Sequence, residues 1–210
     1  MSTPQDTSER LLDAAEKLFA RFGLDSASLR QITGEAGANL AAVNYHFGSK
    51  QKLVRAVIER RLRPINELRL ARLDALEAAG EPLELRDVVE SFIEPALSVG
   101  LHDGREFFVF IARAHGNPSP ELREIVHNEM QPIAQRYGAA LGKCLPELTL
   151  EQLFWRVHFV IGALCHTVIN SELLEEVTEG LCRADDRDKM LQRLVDFSVA
   201  GFSGPVVGEV

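Results

Sequence analysis

SLRQITGEAGANLAAVNYHFGSKQKL, residues 28–53, is the stretch on which the fold turns. Ser28 caps a short helix, and Gln31, three residues on, supplies the reciprocal bond of a capping box. Ala36-Gly37-Ala38-Asn39 makes the turn, because Gly37 accepts a positive φ without a Cβ penalty. Asn39 is a good N-cap for a second helix over Leu40 to His46. Gly48-Ser49-Lys50 then ends that helix and begins another. Two short helices about a tight turn can lay the second in a DNA major groove. The stretch therefore reads as a helix-turn-helix.

The flanks extend that reading into a small domain. Asp6, Thr7 or Ser8 can cap a helix that runs to Phe22 and closes at Gly23. Leu11, Leu12, Ala15, Leu18, Phe19 and Phe22 recur at three- and four-residue steps and form one apolar face. Leu29, Ile32, Val43 and Phe47 are its natural partners in a three-helix head. Ser49 can cap the next helix, whose first turn holds Lys50 and Lys52. Cations there oppose the helix macrodipole and are relieved when a phosphate docks on them. The alternative is an ordinary solvated charged start. Pro64 should kink or break this helix just before itself. That sets the expected boundary: a DNA-binding head of residues 1–62 and a helical body of residues 63–210. In the body the apolar pattern predicts helices near 83–101, 105–115, 120–145, 149–174 and 185–202, with kinks at Pro95 and Pro132.

The 210 residues are 46% hydrophobic, enough for a sizeable core. Leu, Ala, Glu and Arg dominate and strand signals are scarce, so the fold class is all-α. A net charge of −8 argues against DNA binding until it is mapped along the chain. Residues 1–63 hold ten of the 23 basic and seven of the 31 acidic residues, so the acidic excess lies in the body. Between Lys50 and Arg63 six basic residues face one Glu. A basic head on an acidic body would keep DNA contact at the head. Three cysteines without a CxxC pair fit a reducing cytoplasm rather than a disulfide framework. The polar N-terminus is unlike a signal peptide, and apolar runs such as 159–165 are too short to span a bilayer, so no membrane partner is expected.

Ala36-Gly37, Asn39, Asn44, Tyr45-His46-Phe47, Lys50 and Leu53 together resemble the pattern of TetR-family regulators, over roughly Thr7 to Arg60. The run from Asn39 to Lys50 also resembles the PsrA-like subgroup of that family. The resemblance implies backbone contacts from Ser28, Arg30 and Thr33, although Arg30 suits a solvated surface equally well. The helix capped by Asn39 would enter the groove. Leu40 and Ala41 permit close approach and can touch thymine methyls, and Asn44 could read an adenine edge or hold a phosphate. Tyr45 and His46 offer a hydroxyl and an imidazole N–H to phosphate. A packing role stays open for Tyr45, and a helix C-cap for His46. Lys50 should grip phosphate, and Phe47 reads as core. Many members have Ser where Asn39 stands, and Gly or Pro where Ala41 stands, so the target sequence need not be that of other members.

The same resemblance implies a body that dimerises and holds a small hydrophobic or amphipathic effector, fatty-acid-like or aromatic. Phe92, Phe107, Phe108, Ile111, Phe154, Trp155 and Phe159 are candidate lining, with Arg113, His115 and His158 as polar anchors. Each of these aromatics also suits an ordinary core. Leu153, Val157, Val160, Ile161, Leu164 and Val168 form one stripe, and Leu191, Leu194, Val195 and Val199 another; these are the expected dimer interface. A two-fold dimer demands a palindromic operator. The implied function is a ligand-responsive repressor with no cofactor and no catalytic residue. A metal-responsive regulator and an enzyme on a helical scaffold are the competing classes. Against them, the sequence holds no HExxH, no GxSxG and no Gly-rich phosphate loop. His158 and His166, eight apart, make no compact metal site.

Overall fold

The structure, a computed structural model, describes residues 4–80, 82–116 and 120–205, with the side chains of 4–6 and 113–116 left out. Among these residues there are nine helices and no strand: α1 (Pro4–Phe22), α2 (Leu29–Glu35), α3 (Leu40–His46), α4 (Lys50–Ala79), α5 (Leu85–His102), α6 (Arg105–Gly116), α7 (Pro120–Cys144), α8 (Leu150–Val177) and α9 (Arg187–Ser203). They divide into two compact units, Met1–Pro64 with Asp103–Glu129, and Ile65–His102 with Met130–Val210.

The first unit is built on α1. Its Leu11, Leu12, Ala15, Leu18 and Phe19 are buried, as are Ile32 of α2, Val43 of α3, and Leu53, Val57 and Ile58 of α4. These short helices do not cover the whole apolar face of α1. The remainder is closed by α6, whose Phe110 ring centroid lies 5.5 Å from that of Phe19, with Phe107 at 6.3 Å from Phe110. The segment 103–129, assigned to the body by the expected boundary at residue 62, therefore packs with the head. Phe22 departs from the expected inward face: it is exposed, with the Arg21 guanidinium 5.1 Å from its ring centroid.

Ion pairs fix α4 on α1. Glu16 is buried and accepts from Arg60 at 2.8 Å and from Arg61 at 2.9 Å. Arg60 also reaches Asp13 at 2.7 Å, and Arg61 reaches Asp103 at 3.2 Å. Burial works against both guanidinium charges, but the bonds to Glu16, with Asp13 and Asp103, outweigh it and hold both groups above their ordinary range. Pro64, expected to end or kink α4, stands inside a helix that continues to Ala79. It is exposed, so water can satisfy the Arg60 carbonyl that its missing N–H leaves free.

In the second unit Ile65 and Leu73 of α4, Phe92, Ile93 and Leu97 of α5, Ile133, Tyr137 and Leu141 of α7, Leu153, Val160, Leu164 and Val168 of α8, and Leu194, Val195 and Phe202 of α9 form the core. Glu94 of α5 ties α4 to α9, pairing in charge with Arg72 at 2.6 Å and accepting a hydrogen bond from Arg187 at 2.7 Å. Thr149 and Gln152 make a capping box for α8. By length and composition α8 would pass as a membrane span, contrary to the expectation from the shorter apolar runs. The cause is visible in its two faces: Leu153, Val160, Leu164 and Val168 are buried, and Phe154, Trp155 and Phe159 with Leu150, Leu173, Leu174 and Val177 make the exposed side apolar too.

Phe110→Ala should lower stability by about 3–5 kcal/mol, the range for a buried Phe emptied to Ala. Urea unfolding followed by circular dichroism measures this; a loss under about 1 kcal/mol would mean that α6 does not complete the head core.

Candidate nucleic-acid interface

Every link of the helix-turn-helix is held by a local bond. The Ser28 hydroxyl accepts from the Gln31 N–H at 3.2 Å, and the Gln31 side-chain oxygen accepts from the Ser28 N–H at 2.8 Å. The chain turns at Gly37, φ +59°, where a side chain would be strained in the left-handed region. Arg10 of α1 supports the turn from beneath by donating Nη1 to the Ala36 carbonyl at 2.9 Å. Asn39 caps α3, its Oδ1 accepting from the Ala42 N–H at 2.9 Å. Gly48 closes α3 with φ +78°, and the Ser49 hydroxyl accepts from the Lys52 N–H at 3.2 Å at the start of α4.

The outcome is a short helix with one foot in the core. Val43 is buried, whereas Leu40, Ala41, Asn44 and Tyr45 are exposed, Leu40 at 46% and Tyr45 at 80%. At 100° per residue these four cover about 140° of one face. His46 is half-buried at the end of α3, its ring edge-on to Tyr45 with centroids 5.0 Å apart. Ser28 and Arg30 of α2 are exposed, as is Asn39. Lys50 is half-buried and donates to the Leu24 carbonyl, so one of its three N–H groups braces the loop before α2.

Thr33 is a correction: it is only 6% exposed, and its hydroxyl donates to the Arg30 carbonyl at 3.1 Å. It shares the inward side of α2 with Ile32 and does not present a group to a backbone phosphate. The basic run of Lys50 to Arg63 also changes meaning. Arg60 and Arg61 are tied to Glu16, Arg55 lies 3.8 Å from Glu59, and Arg63 lies 3.4 Å from Glu59. Arg30 and Lys52 are exposed and Lys50 is half-buried, and Lys52 is a further candidate contact that its place in the first turn of α4 signalled.

The expected effector residues do not gather into one lining. Phe107 and Phe108 are buried in the first unit, and Ile111 is half-buried on the same helix. Arg113 and His115 belong to α6, but their side chains lie outside the described residues. Phe92 is in the core of the second unit, edge-on to Tyr137 at 5.1 Å. Phe154, Trp155, His158 and Phe159 are exposed along α8. The expected interface stripe is turned the other way: Leu153, Val160, Leu164, Val168, Leu194 and Val195 are buried within the chain, and Val157, Ile161, Leu191 and Val199 are half-buried. The six buried side chains serve the core of their own chain, and the four half-buried ones stand at its margin. A buried arginine, Arg69, is the residue that composition and motif do not point to; its signal is a cation between Ile65 and Leu73 at core spacing along α4. Among the described residues no three His, Cys, Asp or Glu side chains lie together as a metal site would require.

A capped turn that holds a short helix by one buried residue and exposes the rest of its face is the geometry of a DNA-binding helix-turn-helix module. Residues 11–57 match the bacterial regulatory proteins of the tetR family, and residues 90–201 match the tetracyclin repressor-like C-terminal domain. The chain belongs to the TetR family of transcriptional regulators, whose members are ligand-responsive repressors. The support does not extend to the PsrA-like subgroup. The nicotine-responsive transcriptional repressor HdnoR of Paenarthrobacter nicotinovorans is 47% identical over 51 residues, 24% of this chain and 26% of that protein. The chain thus spans about a quarter of HdnoR. The regulator UidR of Escherichia coli K12 is 28% identical over 202 residues, 92% of this chain and 88% of that protein. Among solved structures, the fatty acid degradation regulator FadR of Bacillus halodurans superposes with a TM-score of 0.70 at 13% identity, covering 98% of this chain and 100% of that one, which is a likeness of fold.

Asn39→Ala should cost about 1 kcal/mol through loss of the α3 cap. Thermal unfolding should register it, and DNA affinity should fall with it; full affinity would show that α3 needs no cap to dock.

Proposed function

We propose that this protein is a homodimeric repressor that grips a palindromic operator with α3 and releases it when a small hydrophobic or amphipathic molecule binds the second unit. The observation that carries the reading is the exposed face of α3, which presents Leu40, Ala41, Asn44 and Tyr45 outward. Asn44 reads base edges, and Leu40 and Ala41 approach the groove floor. Tyr45, His46, Ser28, Arg30 and Lys50 hold phosphates and fix the register. Lys50 does so with the donors that Leu24 leaves over.

Dimerisation uses the outer faces of α8 and α9. Trp155 and Phe159 are 55% and 63% exposed and stacked at 5.9 Å, and Phe197 of α9 is 67% exposed. Gly162 and Gly201 lie on these same faces with nothing within 4 Å of an added Cβ. A glycine inside a helix costs stability, and close approach of a second helix is the return for it. A copy of this chain fits, because a two-fold axis presents the same apolar patch to itself and places two α3 helices about 34–36 Å apart on DNA. The protein acts in the cytoplasm. The effector's differential affinity for the DNA-competent and released states drives the switch, and α4, which contributes to both units, carries it.

Fluorescence anisotropy with DNA from upstream of the gene is the test. Affinity should be specific and fall steeply with salt; absent or salt-insensitive binding refutes the reading. Lys50→Ala should weaken all sequences alike and reduce the salt slope by about one, whereas Asn44→Ala should relax sequence preference. Indistinguishable effects would remove that division of roles. In sedimentation the protein should run at twice its 23.3 kDa chain mass and Phe159→Glu as a monomer. A wild-type monomer removes the palindrome argument, and a dimeric variant moves the interface elsewhere.

A further inference from the structure

Arg69 lies in the core of the second unit, only 4% exposed. A guanidinium taken out of water is ordinarily met by a carboxylate. Among the described residues none meets this one. Its Nε donates to the Phe92 carbonyl at 2.8 Å, its Nη1 to the Asn66 side-chain oxygen at 3.2 Å, and its charge lies 3.9 Å from the Phe92 ring centroid. Two of the five guanidinium N–H groups are used, all contacts are neutral, and Nη2 makes no bond. Burial pushes its pKa down to about 10, which still leaves it charged at neutral pH.

The neighbouring cations do not share this condition. Arg72 is matched by Glu94 at 2.6 Å, and Arg136 by Asp74 at 2.5 Å and Glu77 at 2.8 Å. The place offers a single unmatched positive charge. A polar string runs beside it: Ser91 and Tyr137 share a hydrogen bond at 3.1 Å, and the Tyr137 hydroxyl donates to the Arg69 carbonyl at 3.0 Å. Phe92 and Tyr137 also wall an apolar cleft with Val88, Leu141, Val160 and Phe202. The space enclosed there is about that of one water molecule.

We infer that Arg69 anchors the effector, and that the effector is an amphipathic monocarboxylate. Its carboxylate takes the unused edge of the guanidinium, a bidentate fit for one negative charge. Its apolar part enters the cleft beside Phe92 and Tyr137, which must widen to admit it. The inference rests on the reading of this chain as a ligand-responsive regulator.

Calorimetry on the full-length protein tests it with decanoate and 2-naphthoate, each beside its alcohol, 1-decanol or 2-naphthol. At least one acid should bind saturably, one per chain, about tenfold or more tighter than its alcohol, as a charge-assisted pair requires. Arg69→Gln should erase that preference and Arg69→Lys should keep part of it, with circular dichroism reporting whether each variant folds. The wild-type comparison of acid with alcohol stands even where a variant does not fold. Equal affinity for acid and alcohol, undiminished acid binding by a folded Arg69→Gln protein, or no binding of either acid overturns the inference. Specific DNA binding that neither acid disturbs overturns the anchor while leaving a DNA-binding regulator in place. Loss of specific DNA binding in the untreated wild type strikes the regulator reading itself.

Discussion

A carboxylate buried in an apolar head must be met by cations, and Glu16 imposes that condition on the first unit. It draws in Arg60 and Arg61 of α4 together, and Arg61 in turn reaches Asp103 just before α6. The register of α4 on α1 is therefore set by charge as well as by shape. Removing one partner of such a buried group costs about 3–5 kcal/mol, because the other is left without compensation. The aromatic contact of Phe19 with Phe110 lies in the same unit and closes what the short helices leave open. The surface proposed to face DNA is thin by comparison, with Arg30, Lys50 and Lys52 and a set of neutral hydrogen-bonding groups on it. Its precision comes from the unit beneath it.

This arrangement explains how the basic run of α4 misled the charge map. Formal charge along a sequence locates ions but not their partners, and Glu9, Asp13 and Glu16 of α1 stand on the side that faces Arg60 and Arg61. The helix-turn-helix itself was legible because its signals are local. A cap acts across three residues, and a left-handed glycine acts at its own position. Ser28, Gln31, Gly37 and Asn39 all do what their residue types favour. Thr33 was not legible in the same way, since its neighbour Ile32 sets which side of α2 turns inward.

The body was less legible because α8 is apolar on both sides. Leu153, Val160, Leu164 and Val168 recur at helical spacing, and so do Trp155, Phe159 and Gly162 on the opposite face. Periodicity finds both stripes and gives no rule for which of them packs inside the chain. The aliphatic stripe goes in, where α5 and α9 are close, and the rings stay out. An aromatic count therefore could not tell that Trp155 and Phe159 stand on the exposed side of α8. Phe107 and Phe108 were misplaced for a different reason: the chain returns to the head after His102, and a boundary drawn from Pro64 alone cannot register a return.

Two buried charges on or against α4 thus have opposite histories. Glu16 is matched on every side within the folded chain, so its pairing holds one arrangement and has nothing further to gain from a small molecule. Arg69 is satisfied in its geometry at Phe92 and Asn66 but not in its charge. A site left in that state binds an anion with more free energy than a preformed ion pair could offer, because the cation has already been desolvated by folding. Arg60, Arg61 and Arg69 stand within ten residues on one unbroken helix. On the proposal that Arg69 anchors the effector, the ligand acts on the same rod whose earlier turns are clamped to the DNA-binding head. Seating the carboxylate would change the packing around Arg69's own turn of α4. That gives differential affinity a physical carrier, as a switch between two packed arrangements requires.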